Sequence, residues 1–141
     1  MASNLKEKSK VSYEGGCFCN AINFKANADT FWSSLCYCNS CTKISGAPVI
    51  AWAGFYKNQV SWSGKKITEF ISSKGVTRGF CNKCGSTLSF CGEKFGMDKI
   101  FISTVSFNNP NVFPPTEQIF TCDSLNWMHL DDKIPKVDKI D

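Results

Sequence analysis

A chain of 141 residues, 43% hydrophobic and 20% charged, has the size and balance of one globular domain, and no apolar run approaches the ~20 residues that a membrane span requires. Its formal net charge of +4 comes from cations scattered between Lys6 and Lys139, so no basic block marks nucleic acid as a partner. Nine cysteines behind a polar, lysine-rich start that has no secretory pattern argue against a disulfide scaffold and for a cytoplasmic, metal-ligating protein.

In chain order, residues 1–9 read as a flexible leader, and the alternation of Val11-Ser12-Tyr13 stops at an expected turn, Gly15-Gly16. Cys17-Phe18-Cys19 follows, and for both sulfurs to reach one ion the backbone must bend there, which Gly15-Gly16 and Asn20 permit. Residues 21–25 resume a period of two, with Ile22 and Phe24 on one face. Residues 30–35 are β-prone and lead into Cys36-Tyr37-Cys38-Asn39-Ser40-Cys41, after which Thr42-Lys43-Ile44 forms a single helical turn ended by Gly46-Ala47-Pro48.

Residues 49–55, 59–63 and 68–72 read as strands, and their regular spacing predicts a mainly β protein, an all-β sandwich or barrel-like sheet pair with short helical turns. Thr77-Arg78-Gly79-Phe80 leads into Cys81-Asn82-Lys83-Cys84-Gly85, which has the form of a zinc knuckle in which Gly85 supplies a positive φ. Strands are expected at 87–91, 100–105 and 118–122, with a turn at Phe107-Asn108-Asn109-Pro110. Beyond Ser124 only Leu125, Trp127 and Leu130 look able to pack, so the domain is expected to span 10–130, with 131–141 as a tail. Trp32, Trp52 and Trp62 are expected in the core.

Seven cysteines fall into C-x-C, C-x-C-x-x-C and C-x-x-C, spacings that suit zinc better than disulfides. Cys36, Cys38 and Cys41 form a local tripod, which leaves Cys17, Cys19, Cys81 and Cys84 for a closed four-sulfur site. A rival pairing joins Cys38 and Cys41 to Cys81 and Cys84 as a zinc ribbon, and spacing alone leaves both open. Cys91 and Cys122 read as small buried apolar residues, either of which could complete the tripod, and His129 reads as a surface residue.

The string G-G-C-x-C, then C-x-C-x-x-C followed by Gly46-Ala47-Pro48 and Trp52, then Arg78-x-Phe80-Cys81-x-x-Cys84-Gly85-Ser86-x-Leu88, resembles the glutathione-dependent formaldehyde-activating enzyme family, which also contains centromere protein V. The resemblance covers about residues 10–130. It implies an Mss4-like, zinc-stabilised β-sheet sandwich with two zinc ions. One is structural on Cys17, Cys19, Cys81 and Cys84, and one lies in an open, catalytic site on Cys36, Cys38 and Cys41. The sequence departs from the family pattern where Tyr37 and Gln118 replace histidines and Asn20 replaces a glycine.

The expected activity is therefore that of a carbon–sulfur lyase handling a thiol–aldehyde adduct such as S-hydroxymethylglutathione, with a small thiol such as glutathione as partner. Arg78 and Lys43 are candidate contacts for its carboxylates. The competing expectation is a binding module held by two structural zinc ions, with no catalysis.

Overall fold

The computed structural model describes residues 11–140, and the leader expected over 1–9 lies outside them. Alternating apolar residues build a small antiparallel sheet from β1 (Tyr13–Gly16), β2 (Ile22–Ala26) and β5 (Val60–Gly64), in the order β1-β2-β5. Ile22, Phe24 and Ala26 of β2 are buried, with Asn23 and Lys25 between them turned outward.

A second sheet takes β3 (Trp32–Cys36), β4 (Ile50–Tyr56), β6 (Thr68–Ser73), β7 (Val76–Phe80), β8 (Thr87–Gly92), β9 (Lys99–Ser103), β10 (Glu117–Ile119) and β11 (Lys136–Val137). Its order is β11-β10-β3-β4-β9-β8-β7-β6, antiparallel except that β10 runs parallel to both β3 and β11. Among the described residues no helix is long and apolar enough to cross a membrane.

Strand alternation divides the interior. Ala53 and Phe55 of β4 face the small sheet and join Phe24, Phe107, Phe113 and Ile102 in the core between the sheets. Burying each such phenylalanine stabilises the fold by about 1.5–3 kcal/mol. Ile50 and Trp52, the residues alternate to those, face the other way and pack with Phe90, Phe101, Cys36 and Cys41. A third cluster joins Ile22 and Leu88 to Cys17 and Cys81.

The backbone differs from the expectations chiefly in four places. Gly15 and Gly16 belong to β1 and do not form a turn. Gly15 is required because a Cβ there would lie 2.8 Å from Phe107 Cα, where the two chains bridge. The single helical turn is a seven-residue helix, α1 (Asn39–Ser45). The Cys38 sulfur caps it by accepting the Cys41 N–H at 3.3 Å, and Gly46 ends it at φ 70°. The strand expected over 118–122 stops at Ile119 because Phe120 adopts φ 56°.

The fourth difference is at the C-terminus, where Leu125 and Trp127 are exposed and the segment expected to trail off returns as β11, with Val137 and Ile140 packed against the Trp52 cluster. Of the three tryptophans placed in the core, Trp52 is fully buried, Trp32 half-buried and Trp62 exposed on the small sheet.

Candidate metal centres

The first cysteine cluster is assembled from two tight loops of the same design. Cys17 N–H bonds to Ile22 O and Cys81 N–H to Ser86 O, both at 3.0 Å, and each loop passes through a left-handed residue, Asn20 (φ 63°) or Gly85 (φ 80°). Asparagine tolerates that region, so Asn20 makes the bend without a glycine. The loops bring Cys17, Cys19, Cys81 and Cys84 together with their sulfurs within 4.8 Å of one another, Cys17 to Cys19 at 3.5 Å and Cys19 to Cys81 at 3.8 Å. A tetrahedron with zinc–sulfur bonds of ~2.3 Å has edges of about 3.8 Å, so the donor set fits that ion.

Neutral donors surround this cluster. Ile22 N–H donates to Cys17 Sγ at 3.3 Å, and the Ser86 hydroxyl lies 3.1 Å from Cys84 Sγ, holding that thiol down to about 5.

The second cluster is local. Cys36 ends β3, Cys38 caps α1 and Cys41 lies in the first turn of that helix, with all three sulfurs within 4.8 Å of one another. Cys36 and Cys41 are buried and Cys38 is half-buried, so Cys38 marks the side of approach. Hydrogen bonds from the Cys36 and Cys38 thiols, and then the adjacent Arg78, hold Cys41 far below the ordinary thiol range, while Cys36 is pushed up as the group that keeps its proton. Among the described residues no fourth histidine, cysteine or carboxylate joins these three. Cys91 is buried in the core between the sheets and Cys122 is exposed, its thiol donating to Asp138 O at 3.0 Å, so neither completes the tripod. His129 is exposed.

Arg78, expected to reach a substrate carboxylate, is 6% exposed, and both of its terminal nitrogens donate to Cys41 Sγ at 3.5 Å. Its Nε donates to Ser72 Oγ at 2.9 Å and its guanidinium lies 5.6 Å from the Phe90 ring centre. Lys43 is exposed on α1 and lines, with Asn39, Thr42, Pro48, Leu125 and Trp127, a groove of about 420 Å³ along that helix, whose lining includes none of the three cysteines. A larger cleft of about 630 Å³ runs between the four-cysteine loops and the end of α1, lined by Phe18, Ser45, Ser86, Ser103 and Asn108.

One polar network had no signal in sequence spacing. The Tyr37 hydroxyl donates to Gln118 Oε1 at 2.8 Å, and Gln118 Nε2 donates to Asp131 O at 2.8 Å and Ile134 O at 3.1 Å. The two residues expected from the resemblance to stand in place of histidines are thus partners, and Tyr37 faces Gln118 and the C-terminal segment.

The family described as Glutathione-dependent formaldehyde-activating enzyme matches residues 12–123. A Schizosaccharomyces pombe protein named as an uncharacterized lyase is 36% identical over 95 residues, which is 67% of this chain and 68% of that one. A crystal structure of a Rhodobacter sphaeroides protein superposes with a TM-score of 0.57 at 13% identity, covering 74% of this chain and 98% of the other, and so shares the fold.

Proposed function

The chain belongs to the glutathione-dependent formaldehyde-activating enzyme family, and from that premise we propose that it is a zinc-dependent carbon–sulfur lyase, making or breaking a thiol–aldehyde adduct such as S-hydroxymethylglutathione. The observation that carries this reading is the local cluster of three sulfurs, Cys36, Cys38 and Cys41, which no fourth protein ligand joins among the described residues. Cys17, Cys19, Cys81 and Cys84 would hold a closed, structural ion, and the three-cysteine cluster a reactive one. Zinc bound by three thiolates supplies a further position that favours the thiolate form of an added thiol at neutral pH.

The protein's own groups define the remainder of the site. Cys38 is the partly exposed sulfur of the three, and Lys43 on the next turn of α1 would offer an exposed cation to the carboxylates of an anionic thiol. Buried Cys36, Cys41 and Trp52 keep the inner side of the cluster dry, which disfavours water as the nucleophile. Arg78 remains near the cluster but presents its guanidinium to Cys41, so Lys43 is the better placed of the two expected carboxylate partners. The overall change adds S–H across C=O, with a new carbon–sulfur bond and the proton on oxygen, and its reverse is the lyase reaction.

The test is a glutathione titration of the two-zinc protein followed by zinc-edge X-ray absorption. Added sulfur coordination at one of the two ions at millimolar thiol is the expected result. No change in either ion's coordination overturns the reading in favour of two structural ions.

A further inference from the structure

Taking the metal-site reading above as its basis, we propose that Arg78 is a positioning residue for the three-cysteine centre, compensating its charge through Cys41 and thereby making it chemically unlike the four-cysteine centre. A guanidinium does not lose its proton in proteins, and burying one without a counter-charge is strongly unfavourable. Arg78 is 6% exposed, and among the described residues no carboxylate pairs with it. Its neighbours are the Cys41 sulfur, which receives both terminal nitrogens at 3.5 Å, the Ser72 hydroxyl and the Phe90 ring. The sulfur is therefore the counter-ion.

Strand register explains how a residue 37 positions away in sequence arrives there. Arg78 on β7 lies opposite Phe90 on β8 and next to β6, whose Ser72 fixes the Nε end, and α1 brings Cys41 over the same sheet face. Three thiolates and one divalent ion carry a net charge of −1, which one arginine cancels. Four thiolates and one ion carry −2, and the groups bonded to that cluster, Ile22 N–H and the Ser86 hydroxyl, are neutral. Hydrogen bonds to the Cys41 sulfur draw off electron density, making it the weakest donor and weakest nucleophile of the three. The metal position is then more electrophilic toward an incoming thiolate than three unassisted thiolates would leave it.

The experiment uses the full chain loaded with cobalt(II), in wild-type, Arg78→Met, Arg78→Lys and Ser72→Ala forms, read by sulfur-to-cobalt charge-transfer spectra and by mapping of iodoacetamide-modified cysteines. Wild type is expected to take one cobalt per cluster. In Arg78→Met the charge-transfer band of one centre moves to lower energy, and Cys41 is alkylated about tenfold faster, because both long guanidinium hydrogen bonds to its sulfur are lost. The cysteines of the other cluster are unaffected. Arg78→Lys recovers part of the shift, and Ser72→Ala shows it weakly. Unchanged spectra and unchanged alkylation in a two-cobalt Arg78→Met protein overturn the role of Arg78 and leave the metal reading standing. A wild-type protein whose three-cysteine cluster takes no cobalt overturns both. If Arg78→Met does not fold, Ser72→Ala decides by the same two readouts, and no shift in it overturns the proposal.

Discussion

The two cysteine clusters use the same donor atom and differ in how the chain reaches them. The four-cysteine cluster joins loops 62 residues apart between Cys19 and Cys81, so its sulfurs meet only when the small sheet and the β7–β8 loop are already in place. The three-cysteine cluster lies within six residues, from the end of β3 to the first turn of α1. On the reading proposed above the long-range cluster would hold the fold, while the local one forms at a strand-to-helix junction with Cys38 at its half-buried edge. Their surroundings follow the same division, with neutral donors around the first and a buried guanidinium against the second.

Removing the long-range clamp has the largest expected effect. Closing a loop of about sixty residues is worth about 4 kcal/mol in chain-entropy terms, and Cys17 and Cys81 also form half of the Ile22–Leu88 core cluster. Cys81→Ser, or a strong chelator acting on the wild type, should lower the thermal midpoint on the order of 15 °C, measured by near-ultraviolet circular dichroism. A midpoint unchanged by both treatments would end the assignment of this cluster as the clamp.

Cys38→Ser tests the other side of the comparison. Serine keeps a capping oxygen for the seven-residue helix at this half-buried edge, so the stability loss should stay below about 1 kcal/mol. Exchange between glutathione, formaldehyde and their adduct, followed by NMR, should slow by at least about a hundredfold if the cluster is the reactive one. Should Cys38→Ser melt as low as Cys81→Ser, the two clusters share the structural work and the contrast fails.

How much of this was legible in the sequence follows the same local and long-range division. Strands such as β2 and β4, whose alternation or apolar run is complete within a few residues, were expected within one or two residues of where they lie. The grouping of Cys36, Cys38 and Cys41 was legible because the three are neighbours in sequence. The partner of Arg78 was not, because Cys41 reaches it only through the register of β6, β7 and β8 and the path of α1. Strand β11 escaped notice because two residues, Lys136 and Val137, carry no periodicity, and their pairing is fixed by β10. A cysteine sulfur acting as helix cap was missed because Ser, Thr, Asp and Asn are the residues that ordinarily signal one.

Tyr37 and Gln118 sharpen the comparison from the side of the C-terminal segment. Tyr37→Phe leaves the fully buried Gln118 Oε1 without its donor, and an unsatisfied buried acceptor costs about 1–3 kcal/mol. The midpoint should fall accordingly with thiol affinity unchanged. The double variant Tyr37→Phe/Gln118→Leu should fall less than the sum of the single changes, because the two residues are in contact. Altered thiol affinity in Tyr37→Phe without lost stability would place Tyr37 in the reactive site and outside the scaffold.

The smallest effect belongs to Lys43, and it separates binding from reaction at the local cluster. Its ammonium is exposed on α1, so any pairing with a carboxylate is screened by solvent and worth at most about 1 kcal/mol. Lys43→Gln should therefore raise KM for an anionic thiol by about threefold to fivefold, with kcat unchanged and with the wild-type advantage fading as salt is added. An uncharged thiol such as 2-mercaptoethanol should show no difference between the two proteins. If kcat falls as well, Lys43 acts on the reacting atoms and the groove it lines along α1 is part of the reactive centre, extending it past the three sulfurs. If neither constant moves, the thiol enters by another route, and the cleft lined by Phe18, Ser86 and Asn108 becomes the approach to test next.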